Sequence, residues 1–176
     1  MKKTVLTFGL IAGGVLSVMM LATIPFAERI GYDRGMVIGY TTMVLAFMFV
    51  FFGIRSYREN VGRGTISFGR GFAVGVLITA VASVCYVATW QFIYHKITPD
   101  FMEKYSAYKM EKERAAGATQ QQLAEKASEM DRFSELYKNP FINAAITFLE
   151  CFPVGLVVSA VSAGILRRRG PQPAVA

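Results

Sequence analysis

Gly71 to Tyr94 reads GFAVGVLITAVASVCYVATWQFIY and contains no Asp, Glu, Lys or Arg. At about 1.5 Å of rise per residue, some ~20 apolar residues cross a hydrocarbon core roughly 30 Å thick. Buried helices of soluble proteins rarely stay apolar for more than about 14 residues, so this run reads as a membrane span. Three other runs are long and apolar: TVLTFGLIAGGVLSVMMLATI from Thr4, GMVIGYTTMVLAFMFVFFGI from Gly35, and FINAAITFLECFPVGLVVSAVSAGIL from Phe141, the last with one charge inside it. Spans are therefore expected at about 4–24, 35–54, 71–94 and 141–166, in a single membrane domain covering 1–176. The first run is too long for a signal-peptide core of about 7–15 residues, although Lys2 and Lys3 precede it.

Composition points the same way. The 176 residues are 53% hydrophobic and 18% charged, with a mean hydropathy of +0.39. Soluble domains carry about 25% charged residues, so the composition argues against a soluble globular enzyme and excludes a disordered chain. Two cysteines, Cys85 and Cys151, both inside expected spans, make no disulfide framework and pack as small apolar groups.

Orientation follows from the basic residues. With four spans both termini share a side. That side carries Lys2, Lys3, Arg55, Arg58, Arg63, Arg70 and the Arg167-Arg168-Arg169 tail, against Glu59 as its one acid. The other side holds the Glu28–Arg34 turn and the segment about 95–140, where basic and acidic residues balance. Both termini are expected in the cytoplasm, with Arg55, Arg58, Arg63, Arg70, Arg167, Arg168 and Arg169 as candidate contacts to lipid headgroups, which a net charge of +7 favours. Nucleic acid is not the expected partner, because these arginines sit at span ends without interleaved aromatics on a soluble face.

The segment 95–140 splits at Gly117 into two expected helices. The first runs from about Pro99 to Ala116 with Thr98 as its cap; the second opens on a Thr119/Gln122 capping box and ends at Asn139-Pro140. Phe101, Tyr105 and Tyr108 draw an apolar stripe on one, and Leu123, Ala127, Met130, Phe133 and Tyr137 on the other. A hairpin packed on itself and on the membrane surface is expected, with a partner-binding surface as the alternative. His95, beside Trp90 and Tyr94, fits an interfacial aromatic belt, and one histidine offers no metal site.

Glu150 is the most informative polar residue. It lies about 13 Å into the fourth span by helical rise, where a charge costs about 3 kcal/mol or more. Asn143 and Thr147 are assigned to its face, and Thr79, Ser83, Tyr86 and Trp90 draw a facing stripe on the antiparallel third span. Glu150, Asn143, Thr147, Ser83, Tyr86 and Thr79 make a candidate intramembrane polar cluster. A neutral Glu150 hydrogen-bonded to Ser83 or Tyr86 is one reading; a proton or ion relay, a polar substrate site, or a contact to another subunit are the others. Gly9/Gly13, Gly35/Gly39 and Gly71/Gly75 share the spacing that lets helices approach closely, within the chain or between two copies. The Val61–Gly71 loop lacks the Gly-Lys-Ser/Thr ending of a phosphate-binding P-loop, and reads as a turn whose Arg63 and Arg70 suit lipid phosphate.

The Ile66-Ser67-Phe68 start of the third span with Gly71 and Gly75, the long helical insert ending in Asn139-Pro140, and the Thr147-Phe148-Leu149-Glu150 run followed by Pro153-Val154-Gly155 together resemble the bacterial "domain of unknown function 4199" membrane proteins. The resemblance covers nearly the whole chain. It implies a small bacterial inner-membrane protein with four spans, and it implies no activity, cofactor or catalytic residue.

The expected fold is thus an all-α integral membrane protein: four transmembrane helices in up-down order, with a periplasmic helical hairpin between the third and fourth. The expected function is that of a non-enzymatic accessory or scaffold protein without cofactor or metal, whose partners are the lipid bilayer and either a second copy or another membrane protein. A small transporter or channel subunit using Glu150 is the alternative, and an envelope lipid enzyme ranks last. Reporter fusions should read cytoplasmic after Arg169 and periplasmic near Gly117; a periplasmic signal after Arg169 contradicts the four-span topology.

Overall fold

A computed structural model describes residues 1–168, and every regular element in that range is helical. Helix α1 (Lys2–Thr23) is followed by a 3₁₀ turn (Ile24–Phe26) and the short α2 (Ala27–Ile30). Then come α3 (Tyr32–Asn60), α4 (Phe68–Lys96), α5 (Phe101–Ala115), α6 (Gln120–Tyr137) and α7 (Pro140–Leu166). Four helical segments are long and apolar enough to cross a membrane: Lys2–Ile30, Tyr32–Asn60, Phe68–Lys96 and Pro140–Leu166. Their outward faces carry exposed Leu10, Val18, Val37, Leu45, Val84, Leu149, Val157 and Ile165. A surface this apolar suits lipid rather than water, as in a multi-pass membrane protein.

The helix ends follow the sequence. Asn139 caps α7 by accepting from the backbone N–H of Phe141 at 3.0 Å, and Pro140 takes the first helical position, which needs no donor. Thr119 and Gln122 form the expected capping box of α6, with the Gln122 carbonyl accepting from Thr119 N–H at 2.8 Å. The start of α5 departs from expectation. Phe101 N–H donates to Thr98 O at 3.1 Å, closing a turn that contains Pro99, so the helix begins at Phe101 and Thr98 does not cap it. α7 runs unbroken through Pro153.

Four seams hold the long helices in a square: α4 packs on α1 and α7, and α3 packs on the same two helices. Glycines set the two seams of α4. A Cβ added to Gly9 would stand 2.7 Å from Val81 Cβ, and one on Gly13 2.6 Å from Cys85 Cβ, so α1 and α4 touch at backbone distance and run parallel. On the other flank a Cβ on Gly75 would meet Ser159 Cβ at 2.8 Å, and one on Gly155 would run into the Thr79 side chain, which makes α7 antiparallel to α4. Among lipid tails, helices gain little from hiding apolar surface from each other, so close van der Waals contact between small residues has to hold them. Gly9/Gly13 and Gly71/Gly75 are thus intrachain contacts. Gly35 and Gly39 have nothing within 4 Å of an added Cβ and pack against no helix.

Two apolar clusters result. One, with Phe47, Val50, Ile54, Val74, Ile78 and Cys151, fills the bundle towards the end where the termini emerge. The other lies at the hairpin end, where Met102, Met130 and Tyr137 of the insert sit on Met20, Trp90, Ile93 and Tyr94. The expected hairpin is present, and it packs on the end of the bundle itself.

The α4–α7 seam makes a prediction. Gly155→Ala should destabilise the protein by about 1–3 kcal/mol, because neither Thr79 nor Phe47 can move away cheaply. Gly164→Ala, where an added Cβ meets nothing, should be neutral or slightly stabilising in the same thermal-unfolding measurement in detergent.

Candidate functional site: a cavity between the bundle and its hairpin

The expected polar cluster divides in two. On the α4–α7 seam, Ser159 Oγ donates to the Gly155 carbonyl at 2.7 Å, which leaves Thr79 Oγ1 to donate to Ser159 Oγ at 3.2 Å. Ser83 Oγ points to Cys151 Sγ at 3.7 Å, a weak contact. Asn143 is fully buried; its carbonyl accepts from Gln91 Nε2 at 3.1 Å and its amide donates to Tyr137 O at 3.4 Å. Thr147 Oγ1 donates to the backbone carbonyl of Asn143 at 2.8 Å, a different oxygen from the side-chain one that Gln91 holds. Thr79, Ser83, Asn143 and Thr147 are therefore a satisfied structural network.

Glu150 does not join it. Ser83 and Tyr86 do lie near its depth, but the expected bond to either is not made, and the Glu150 carboxyl has no hydrogen-bond partner among the described residues. The reason is the face of α7. Its buried residues are Asn143, Thr147, Cys151, Gly155 and Ser159, a repeat of four set by the small-residue seam. Glu150 is one residue, about 100° of helix, away from Cys151, and so falls at the edge of the buried face.

There it lines a cavity of about 320 Å³, together with Tyr86 and Thr147. The cavity lies in the hairpin half of the square, bordered by the later turns of α1 and α4, the first turns of α3 and α7, and the hairpin. Gly35 and Gly39 form part of the α3 wall, where missing side chains leave room. Tyr32, Tyr40, Tyr86, Trp90, Tyr105 and Tyr137 make it strongly aromatic, and Glu150 is the sole charged side chain on its walls.

The hairpin is fastened over this space. Trp90 Nε1 donates to the Tyr137 hydroxyl at 2.9 Å, and the Trp90 ring meets Phe101 edge-on with centroids 4.9 Å apart. Burial raises the pKa of the Tyr137 hydroxyl, so it stays protonated and keeps its own hydrogen to donate. Tyr32 inserts against Phe101, Tyr105 and Tyr108, at centroid distances of 6.1, 5.6 and 4.9 Å. Ion pairs frame the contact: Lys104 with Glu28 at 2.6 Å and with Asp100 at 2.8 Å, and Lys112 with Asp33 at 2.7 Å. The bond from Lys104 holds the Asp100 carboxyl below its usual range. These exposed pairs orient the hairpin and contribute little stability. Sequence periodicity finds the aromatic stripes, but it does not reveal that Tyr32 and Trp90 receive them.

The chain belongs to the family described as "Protein of unknown function (DUF4199)". The match runs over residues 7–168, which takes in all four long helices, the hairpin and the cavity. No curated protein and no solved structure matches the chain. Membership of DUF4199 confers no chemistry on the cavity, so its residues have to be read on their own terms.

The arginines at the far end of this DUF4199 protein also divide. Arg58 is withdrawn from the surface at 9% exposure: its Nη1 donates to the Leu166 carbonyl at 3.3 Å, satisfying an open carbonyl at the end of α7, and its Nη2 holds Glu59 at 2.6 Å. It is a structural clamp and not a free headgroup contact. Arg55, Arg63, Arg70, Arg167 and Arg168 are all exposed, and of these Arg63, Arg70 and Arg168 border a second cavity. Arg169 lies outside the described residues.

Proposed function

We propose that this DUF4199 protein is a bacterial inner-membrane protein, both termini cytoplasmic and the hairpin periplasmic. We further propose that it works without covalent chemistry, as an accessory protein that holds a membrane-dissolved amphiphile beneath the hairpin. The observation that carries this reading is a cavity of about 320 Å³ with apolar, aromatic walls and a single carboxyl, Glu150. That volume is at the lower end for small-molecule pockets, which are typically about 300–1,000 Å³. Aromatic faces and a carboxylate together favour an amine or other cationic group, and disfavour an anionic lipid headgroup. The α4–α7 seam is saturated, so bonding capacity for a ligand lies with the Glu150 carboxyl and with tyrosine hydroxyls of the cavity wall such as Tyr86 and Tyr137.

The retained alternative, a small transporter or channel subunit, rests on the same residue acting as a proton relay. It requires Glu150 to gain and lose a proton during turnover, whereas an accessory protein requires only that it bind.

Binding of a lipophilic amine and of its neutral amide counterpart to the protein in nanodiscs distinguishes the possibilities. Wild type should prefer the amine. Glu150→Gln should weaken amine binding about tenfold, the worth of one charge-assisted bond, and leave the amide unaffected. Gly39→Leu, which fills the cavity, should weaken both. Equal binding of both ligands in wild type and Glu150→Gln contradicts a role for the carboxyl. A proton-coupled flux in proteoliposomes that Glu150→Gln abolishes would favour the transporter.

A further inference from the structure

The second cavity lies at the opposite end of the bundle, where the termini emerge. It measures about 530 Å³ and is bordered by the loop after α3, the start of α4 and the chain after α7. Arg63 and Arg70 come from the loop and from α4, and Arg168 from the residues beyond α7. What brings the third arginine to the other two is a two-residue bridge between strands of backbone. Ile66 N–H donates to Arg168 O and Arg168 N–H to Ile66 O, each at 3.1 Å. Arg58 fixes the same junction from below through the Leu166 carbonyl.

Three guanidinium-bearing residues thus line one cavity whose walls include no acidic side chain. Among the described residues none of the three takes part in an ion pair, although Glu59 is close by; Glu59 is bound to Arg58. Glu59 is also the acid whose charge reaches Arg168, so the three like charges along this cavity are only partly compensated and suit an anion held beside them. Ser67 adds a hydroxyl that accepts from Arg70 N–H at 3.4 Å and keeps a proton to donate. Arg63 itself sits in the left-handed region at φ 50°, ahead of Gly64 at φ 84°, a conformation that non-glycine residues seldom adopt. Planar guanidinium groups bind phosphate oxygens in pairs, which single ammonium groups do not.

We infer that Arg63, Arg70 and Arg168 form a phosphate-binding site that clasps the loop after α3 to the chain after α7. The phosphate is presented either by an anionic lipid headgroup or by a free small anion. The site differs from a general attraction of basic residues to an anionic surface, because all five of these arginines are exposed but only Arg63, Arg70 and Arg168 border the cavity, while Arg55 and Arg167 do not.

That selectivity is the test. The full-length protein is placed in phosphatidylcholine nanodiscs with and without phosphatidic acid, and retained lipid is counted by native mass spectrometry alongside the unfolding temperature. Wild type should retain phosphatidic acid and unfold at a higher temperature with it. Arg63→Gln, Arg70→Gln and Arg168→Gln should each lower retention about tenfold, while Arg55→Gln and Arg167→Gln keep it near the wild-type level. Arg70→Lys, which keeps the charge but loses the paired geometry, should fall between and confirms that the fold survives change at this position. Inorganic phosphate in phosphatidylcholine alone separates the sources: a rise in unfolding temperature in wild type but not in Arg70→Gln supports a free anion, and a rise with phosphatidic acid only supports a headgroup. No response to either, or equal losses in all five glutamine variants, overturns the site.

Discussion

The close approach of α4 and α7 is the contact on which the rest of the structure depends. Gly75 faces Ser159, Thr79 faces Gly155, and Ser83 faces Cys151, so the two backbones meet with almost no side chain between them. Each atom pair adds only about 0.1–0.2 kcal/mol, but such contacts are numerous, and the surrounding lipid cannot replace them at the same density. The seam also fixes the rotation of α7. Once Cys151, Gly155 and Ser159 are pressed onto α4, Leu149 must point outwards and Glu150 must lie at the edge of the packed face.

From that rotation follows the contrast between the two halves of the bundle. Towards the termini, buried Phe47, Val50, Ile54 and Ile78 pack into the space between the helices. Towards the hairpin, α3 offers Gly35 and Gly39 where it might have offered bulk, and the gap is roofed by aromatic residues. The Trp90–Tyr137 hydrogen bond and the Tyr32 ring contacts hold the roof, since the exposed lysine pairs around it are individually weak. A cavity with one carboxyl, unpartnered among the described residues, is consequently built beside a helix seam whose own polar groups are satisfied.

The four spans are legible in the sequence because length and apolarity alone decide them, and the second helix of the hairpin is legible because Thr119/Gln122 and Asn139-Pro140 are local signals. What a single helix cannot reveal is which neighbour its marked residues meet. Gly9/Gly13, Gly71/Gly75 and Gly35/Gly39 have identical spacing, yet the first two are seams and the third a cavity wall. Asn143, Thr147 and Glu150 are close enough around the helix to be read as one face, and only the partner helix shows that the face continues through Cys151. The pairing of Ile66 with Arg168, and the turning inward of Arg58, join residues about a hundred positions apart with no local pattern to announce them.

The most direct measurement is the environment of position 150 in the bilayer. A nitroxide attached to Glu150→Cys, in a chain with Cys85→Ala and Cys151→Ala, is compared with one at Leu149, which points outwards. Because Glu150 is exposed at the edge of the cavity, the label at 150 should be mobile and accessible to dissolved oxygen, approaching the values at 149. A label at 150 that is immobilised and shielded from oxygen would place Glu150 inside the α4–α7 seam, and would contradict both the rotation of α7 and the cavity built on it.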